Sequence, residues 1–177
     1  MEEVERVKAE ALQIMGVFSV LPKLVVLDLD YTIWPFYCEC RSKRDTPYLF
    51  PDSRGILHAL KHEKIDAAIA SKSPTPDIAT TYLHKLGIRS MFVAEEIFYS
   101  WTHKTDHFQK IHARTGIPYN SMLFFDDDNN NIRGISEIGV TSILVRNGLN
   151  LEAFRDGLAK FSQKGNASKK NKQKRPK

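Results

Sequence analysis

The sequence predicts an α/β fold in three layers, a central parallel sheet with helices on both faces. Three observations predict it. Short apolar runs of strand type alternate along the chain with segments of helical periodicity, the order that builds right-handed β-α-β units. The runs are apolar at consecutive rather than alternate positions, as in strands covered on both faces. Glycines stand just past three helical segments, at Gly87, Gly116 and Gly139, where helices commonly end.

Taken in order, residues 2–18 carry Val4, Val7, Leu12, Met15 and Phe18 at roughly helical spacing. They predict an amphipathic helix within a 1–20 extension that either packs on the domain or frays. Leu21–Leu27 is the first strand. Residues 33–51 are irregular, because Pro35, Pro47 and Pro51 exclude a long helix. Pro51-Asp52-Ser53 opens a helix whose apolar positions are Ile56, Leu57 and Leu60. Ile65–Ala70 is the second strand, Pro76–Leu86 a helix, Met91–Ala94 the third strand and Lys104–Thr115 a helix. Met122–Phe125 is the fourth strand, followed by a helix over Asn129–Ile138, a fifth strand over Thr141–Val145 and a last helix over Leu151–Phe161. The main domain is therefore expected over 21–162. A basic tail over 163–177, rich in Lys, Asn and Ser and without an apolar anchor, is expected to be disordered.

Composition narrows the class. No apolar run approaches the roughly 20 residues that cross a bilayer, and the acidic opening Met1-Glu2-Glu3 lacks a signal peptide's basic start. The chain is expected in the cytoplasm, or in the nucleus through its Lys-rich tail, with no membrane partner. Cys38 and Cys40 are too close for the usual zinc pair and for an unstrained disulfide, so both are read as reduced thiols. The net charge of +5 is a property of the tail. Seven basic residues and no acid lie between Ser162 and Lys177, and without them the rest stands at −2. A nucleic-acid-binding surface is thus not indicated.

The chemistry-bearing signal is Asp28-Leu29-Asp30-Tyr31-Thr32, directly after the first apolar strand. Two carboxylates at the C-terminal end of a strand sit where open α/β sheets place their chemistry. They can hold a divalent cation, and one can act as nucleophile while the other moves a proton. Solvated turn aspartates are the competing reading. Later segments decide between them. The second strand ends in Ser71-Lys72-Ser73, Lys104 opens a helix, and the fourth strand ends in Asp126-Asp127-Asp128. In a parallel sheet these ends lie along one edge. His103 and His107 have the spacing of a metal pair on a helix, but nothing supplies further ligands, so they are read as surface or packing residues.

This ordered set resembles the four motifs of the haloacid dehalogenase superfamily. The extension Asp28-Leu29-Asp30-Tyr31-Thr32-Ile33-Trp34-Pro35-Phe36 and the stretch Phe124-Phe125-Asp126-Asp127-Asp128-Asn129-Asn130-Asn131-Ile132 are similar to its magnesium-dependent phosphatase-1 family, from about Leu21 to Phe161. The resemblance implies a Rossmann-like fold and a Mg²⁺-dependent phosphomonoesterase. It implies Asp28 as nucleophile, forming an aspartyl-phosphate, and Asp30 as general acid and then base. The implied metal ligands are the Asp28 carboxylate, the Asp30 backbone carbonyl and the Asp127 carboxylate, with Asp126 as the alternative. The backbone N–H groups of Leu29 and Asp30, with Ser71, Lys72 and Lys104, are implied to hold the phosphoryl group, and Thr32 to position the loop. Implied substrates are phosphotyrosine in proteins, or phosphorylated sugars and glycated amines.

Two features depart from the family. Lys72 stands where Arg is usual, which keeps the charge but loses the bidentate fork. The loop over residues 37–50 is short, leaving no room for a large cap. Trp34 and Phe36 are read as either core or a lip against which substrate stacks, the lip being favoured by the short loop beside the site. A monomer is expected. The competing classes are a phosphotransferase or mutase on the same fold, and a non-catalytic protein engaging an acidic partner through the basic tail.

Overall fold

The computed structural model describes residues 2–173. Five strands form one parallel sheet in the order β3-β2-β1-β4-β5. They are β1 (Leu24–Leu27), β2 (Asp66–Ser71), β3 (Phe92–Ile97), β4 (Met122–Asp126) and β5 (Thr141–Leu144). Six helices accompany them: α1 (Glu2–Val17), α2 (Ser53–His62), α3 (Pro76–Lys85), α4 (Thr105–Thr115), α5 (Asn129–Glu137) and α6 (Leu151–Gln173). This is the three-layer α/β fold expected.

Strand alternation divides the core. Val25, Leu27, Ile69, Leu123 and Phe125 point to the face covered by α1, α2, α3 and α6. Leu24, Val26, Ala68, Ala70 and Phe124 point to the face covered by α4 and α5. Burial on both faces explains why these strands are apolar without alternation. Leu27 is level with Ile69 on one side and Phe125 on the other, so the residues after β1, β2 and β4 emerge together at one edge.

Helix α1 packs rather than frays. Val7, Ala11, Ile14 and Met15 are buried, and α1 crosses α2 at Gly55, where a Cβ would stand 2.6 Å from Val7. Only glycine permits that approach. β3 outruns its apolar stretch, continuing through Glu95 and Glu96 to Ile97. An edge strand tolerates such charges, and here Arg89 pairs with Glu95 and Arg114 with Glu96. Helix α6 continues well past Phe161 to Gln173. The segment expected as a disordered tail is therefore helical over residues 163–173, while residues 174–177 lie outside the described residues. Among the described residues no helix is long and apolar enough to cross a membrane, and no large cap is inserted. Residues 37–50 form loops and one short 3₁₀ turn at Cys38–Cys40.

Candidate active site

The site is built where β1, β2 and β4 end. Asp28 follows β1 and keeps to the sheet, its N–H donating to the Phe125 carbonyl at 3.1 Å. The chain then turns sharply. The Leu29 carbonyl accepts the N–H groups of Thr32 and Ile33 at 3.0 and 2.9 Å, and Tyr31 takes the left-handed region at φ 57°. A bulky residue there is strained, and such strain gathers at functional turns. The turn brings the Thr32 hydroxyl to Asp28 Oδ2 at 3.0 Å. Neither the Leu29 nor the Asp30 N–H is taken up by a backbone carbonyl in the turn, and the Asp30 carbonyl likewise accepts none there.

Asp30 is held by one oxygen. Its Oδ1 accepts the Trp34 indole N–H at 2.7 Å and the Cys38 N–H at 3.1 Å, and Oδ2 takes part in neither contact. This arrangement corrects the expectation for Trp34 and Phe36. Both are buried and stack at 5.5 Å, in the core rather than at a lip. An indole enters a core when its N–H finds an acceptor inside, and Asp30 supplies it. The exposed rings at the mouth are instead Tyr31 and Tyr37, edge to face at 4.7 Å.

At the end of β2, buried Ser71 accepts the Ser73 N–H on Oγ at 3.3 Å, which leaves its own hydroxyl hydrogen to donate. The Lys72 ammonium donates to the Thr102 carbonyl at 3.3 Å. Its resting position therefore ties down the loop before α4. His107 braces the same edge. Its buried Nε2 lies 2.8 Å from the Ser71 carbonyl and 2.9 Å from that of Phe98, and its ring stacks on Phe98. Burial pushes its pKa down to about 4, so the imidazole is neutral and can donate. The sequence gives no sign of this brace. His103 is exposed.

Lys104 stands just before α4 in the left-handed region, at φ 69°, and is 1% exposed. Its ammonium lies 2.7 Å from both Asp28 Oδ1 and Asp126 Oδ2. Burial alone would lower its pKa, but Asp126 and Asp28 outweigh that and hold it raised, so the group is a cation.

The three acids after β4 have three placements. Asp126 is fully buried. Besides Lys104, its Oδ2 accepts Asn131 Nδ2 at 3.1 Å and its Oδ1 accepts the Asp128 N–H at 3.0 Å. Asp128 caps α5, accepting the Asn130 N–H at 2.8 Å. Asp127 is exposed at the rim, yet its carboxyl crowds the others. Desolvation, followed by the charge on Asp28, pushes it up to about 8.

Oxygens of Asp28, Asp126 and Asp127 lie within 4.8 Å of one another. Three carboxylates face one ammonium, an imbalance that suits a hard dication with oxygen ligands. Asp126 accepts three hydrogen bonds and Asp28 two, so Asp126 has fewer lone pairs open to an ion. A cleft of about 570 Å³ opens beside Asp127, lined by Tyr31, Tyr37, Leu144, Val145 and Arg146. A groove of about 580 Å³ between α1 and α6 holds no comparable constellation.

Comparison with known proteins fits this geometry. Residues 20–164 match the family model described as acid phosphatase. The chain is 34% identical over 160 residues to magnesium-dependent phosphatase 1 of Homo sapiens, covering 81% of this chain and 89% of that one. It is also 34% identical over 159 residues to a HAD-like hydrolase superfamily protein of Schizosaccharomyces pombe, covering 75% of this chain and 92% of the relative. Among solved structures, a HAD-superfamily hydrolase from Ehrlichia chaffeensis superposes with a TM-score of 0.66 at 13% identity, over 80% of this chain and 98% of that one. At that identity the likeness concerns the fold alone.

Proposed function

The chain belongs to the acid phosphatase family, in the magnesium-dependent phosphatase-1 branch of the haloacid dehalogenase superfamily, and from this premise we propose that it hydrolyses phosphate monoesters through a phosphoryl group carried on Asp28. The observation that carries the reading is the environment of Asp28. One of its oxygens is held by Thr32 and the other by a fully charged Lys104, at the mouth of an acidic cluster.

Mg²⁺ would be held by the Asp28 and Asp127 carboxylates and the Asp30 carbonyl, and when bound it supplies positive charge against the phosphoryl oxygens. The chain's own groups perform the rest. An Asp28 oxygen attacks phosphorus, forming the aspartyl-phosphate as the bond from phosphorus to the ester oxygen breaks. Asp30 Oδ2 gives its proton to that departing oxygen. Asp30 then takes a proton from water, whose oxygen attacks phosphorus, and the bond to Asp28 breaks to release inorganic phosphate. The N–H groups of Leu29 and Asp30, the Ser71 hydroxyl and the Lys104 ammonium face the charge that develops on the phosphoryl oxygens. Lys72 reaches the phosphoryl group by exchanging its bond to Thr102. Trp34 and the Cys38 N–H keep Asp30 Oδ1 fixed, so only Oδ2 turns toward substrate.

The substrates follow the same resemblance, namely protein phosphotyrosine or small phosphorylated sugars and glycated amines. No observation favours the non-catalytic reading. The experiment is hydrolysis of p-nitrophenyl phosphate by the native chain and Asp28→Asn, with Mg²⁺ and with EDTA. Turnover that requires Mg²⁺ and vanishes in Asp28→Asn is expected. A folded, Mg²⁺-supplied native chain inert toward this ester, phosphotyrosine peptides and sugar phosphates would overturn the reading.

A further inference from the structure

The cleft beside Asp127 contains one charge that the mechanism leaves unused. Arg146 lies two residues past the end of β5, and the backbone fixes it from both sides. Val145 donates its N–H to the Asp126 carbonyl at 2.9 Å, and Leu149 donates its N–H to the Thr32 carbonyl at 2.7 Å. The loop carrying Arg146 is therefore tied to both acidic loops of the site. Val145 and Leu149 are buried, while Arg146 between them is exposed. Gly148, at φ 74°, makes the return of this loop possible. A loop pinned at both ends can present a side chain at a defined distance from the reaction centre.

Charge accounting singles out Arg146. Lys104 is already neutralised by Asp28 and Asp126. Lys72, resting on the Thr102 carbonyl, is already assigned to the phosphoryl group. Arg146 forms no ion pair among the described residues, although it shares the cleft with Asp127. Facing it are Tyr31 and Tyr37, two exposed rings whose edge-to-face packing makes a wall. Asp126 is level with Leu144 in the sheet, so the bend that carries Arg146 begins at the same edge as Asp126 and Asp127.

We propose that Arg146 is a specificity-determining residue, selecting phosphate monoesters whose leaving group carries a second anionic group into the cleft beside Asp127. The proposal rests on the phosphatase reading. The leaving group lies along the Tyr31–Tyr37 wall, and its carboxylate or second phosphate meets the guanidinium in a charge-assisted, bidentate contact. A neutral leaving group of the same shape leaves Arg146 to water and gains nothing.

The test uses 4-carboxyphenyl phosphate and its neutral isostere 4-carbamoylphenyl phosphate, with Mg²⁺ at low salt. Hydroquinone bisphosphate, compared with hydroquinone monophosphate, distinguishes phosphate from carboxylate as the second group. For native protein, kcat/KM is expected to favour one or both charged esters over their partners by about tenfold. In Arg146→Ala that ratio falls about tenfold, in Arg146→Lys it falls part of the way, and high salt shrinks it in native protein. Thermal melting establishes that the variants are folded. A native ratio near one, or a ratio unchanged in Arg146→Ala, overturns the subsite while leaving the phosphatase reading intact. A native chain that turns over none of these esters while hydrolysing p-nitrophenyl phosphate overturns the subsite alone; one inert toward that ester, phosphotyrosine peptides and sugar phosphates as well overturns both.

Discussion

Strands β1 and β4 lie side by side and change character at the same level. Leu24–Leu27 and Met122–Phe125 are apolar and buried throughout. One residue further on, Asp28 and Asp126 are almost as buried, yet each brings a carboxyl group. Depth is shared, but the energetics are opposite. The strand bodies stabilise the fold by removing apolar surface from water, about 25 cal/mol per Å². The carboxylates cost desolvation, which only Lys104 and a few hydrogen bonds offset. The difference teaches where this molecule trades stability for chemistry. The same pairing that builds the core carries two acids into a dry edge, where one ammonium must serve both.

The largest effect that would test this contrast comes from Lys104→Met. Removing the ammonium leaves Asp28 and Asp126 uncompensated, and breaking a buried pair in this way costs about 3–5 kcal/mol. In EDTA, urea unfolding should show a loss of that size, and turnover with Mg²⁺ should fall by at least about a hundredfold. Leu24→Ala is the matched change in the strand body. It should cost a comparable 2–5 kcal/mol, on the order of the usual large-to-small penalty, while the kcat of the folded protein stays close to native. If Lys104→Met unfolds no more easily than native, the account of the edge is wrong.

A smaller effect concerns the brace between β2 and α4. The unfolded imidazole of His107 takes a proton near pH 6.5, the folded one only near 4. Stability from this group is therefore complete above pH 6.5 and is lost as pH falls toward 4, at most about 1.4 kcal/mol per pH unit. His107→Gln keeps a donor for the two carbonyls but cannot titrate. Its urea midpoint should change less than the native one between pH 7 and 4.5, and an equal change would assign the acid lability elsewhere. The smallest effect should come from truncation after Ala167. Gly165 lies close enough to Val20 that a Cβ would meet it at 2.8 Å, so the cut spares that contact, and turnover should remain within about twofold of native, since every residue placed in the site precedes the cut.

How much of this was legible in the sequence follows from which forces act locally. The parallel sheet, its five strands and the acids at their ends could be read, because doubly covered strands leave continuous apolar runs and the acids interrupt them abruptly. The division of labour among Asp126, Asp127 and Asp128 could not. Three identical side chains are told apart by the direction each takes at the bend after β4, where one turns in to Lys104, one stays out and one caps α5. Trp34 misled for a similar reason. Its burial depends on Asp30 Oδ1 as acceptor, a contact made by a strained turn and not by periodicity. Arg146 carried no local signal either, since it is placed by bonds from its loop to Asp126 and Thr32. The helical run past Phe161 ignores composition, because α6 continues a helix already anchored by Phe154, Leu158 and Phe161.

The most direct test of the central claim is to trap the phosphorylated enzyme. Native protein with Mg²⁺ and a slowly turned-over ester would be quenched in acid and reduced with borohydride, which converts an acyl-phosphorylated aspartate to homoserine, and then mapped by peptide mass spectrometry. Homoserine at position 28, appearing only when both Mg²⁺ and substrate are present, is the result predicted here. Turnover with no reducible residue, or reduction at another aspartate, would contradict Asp28 as the nucleophile.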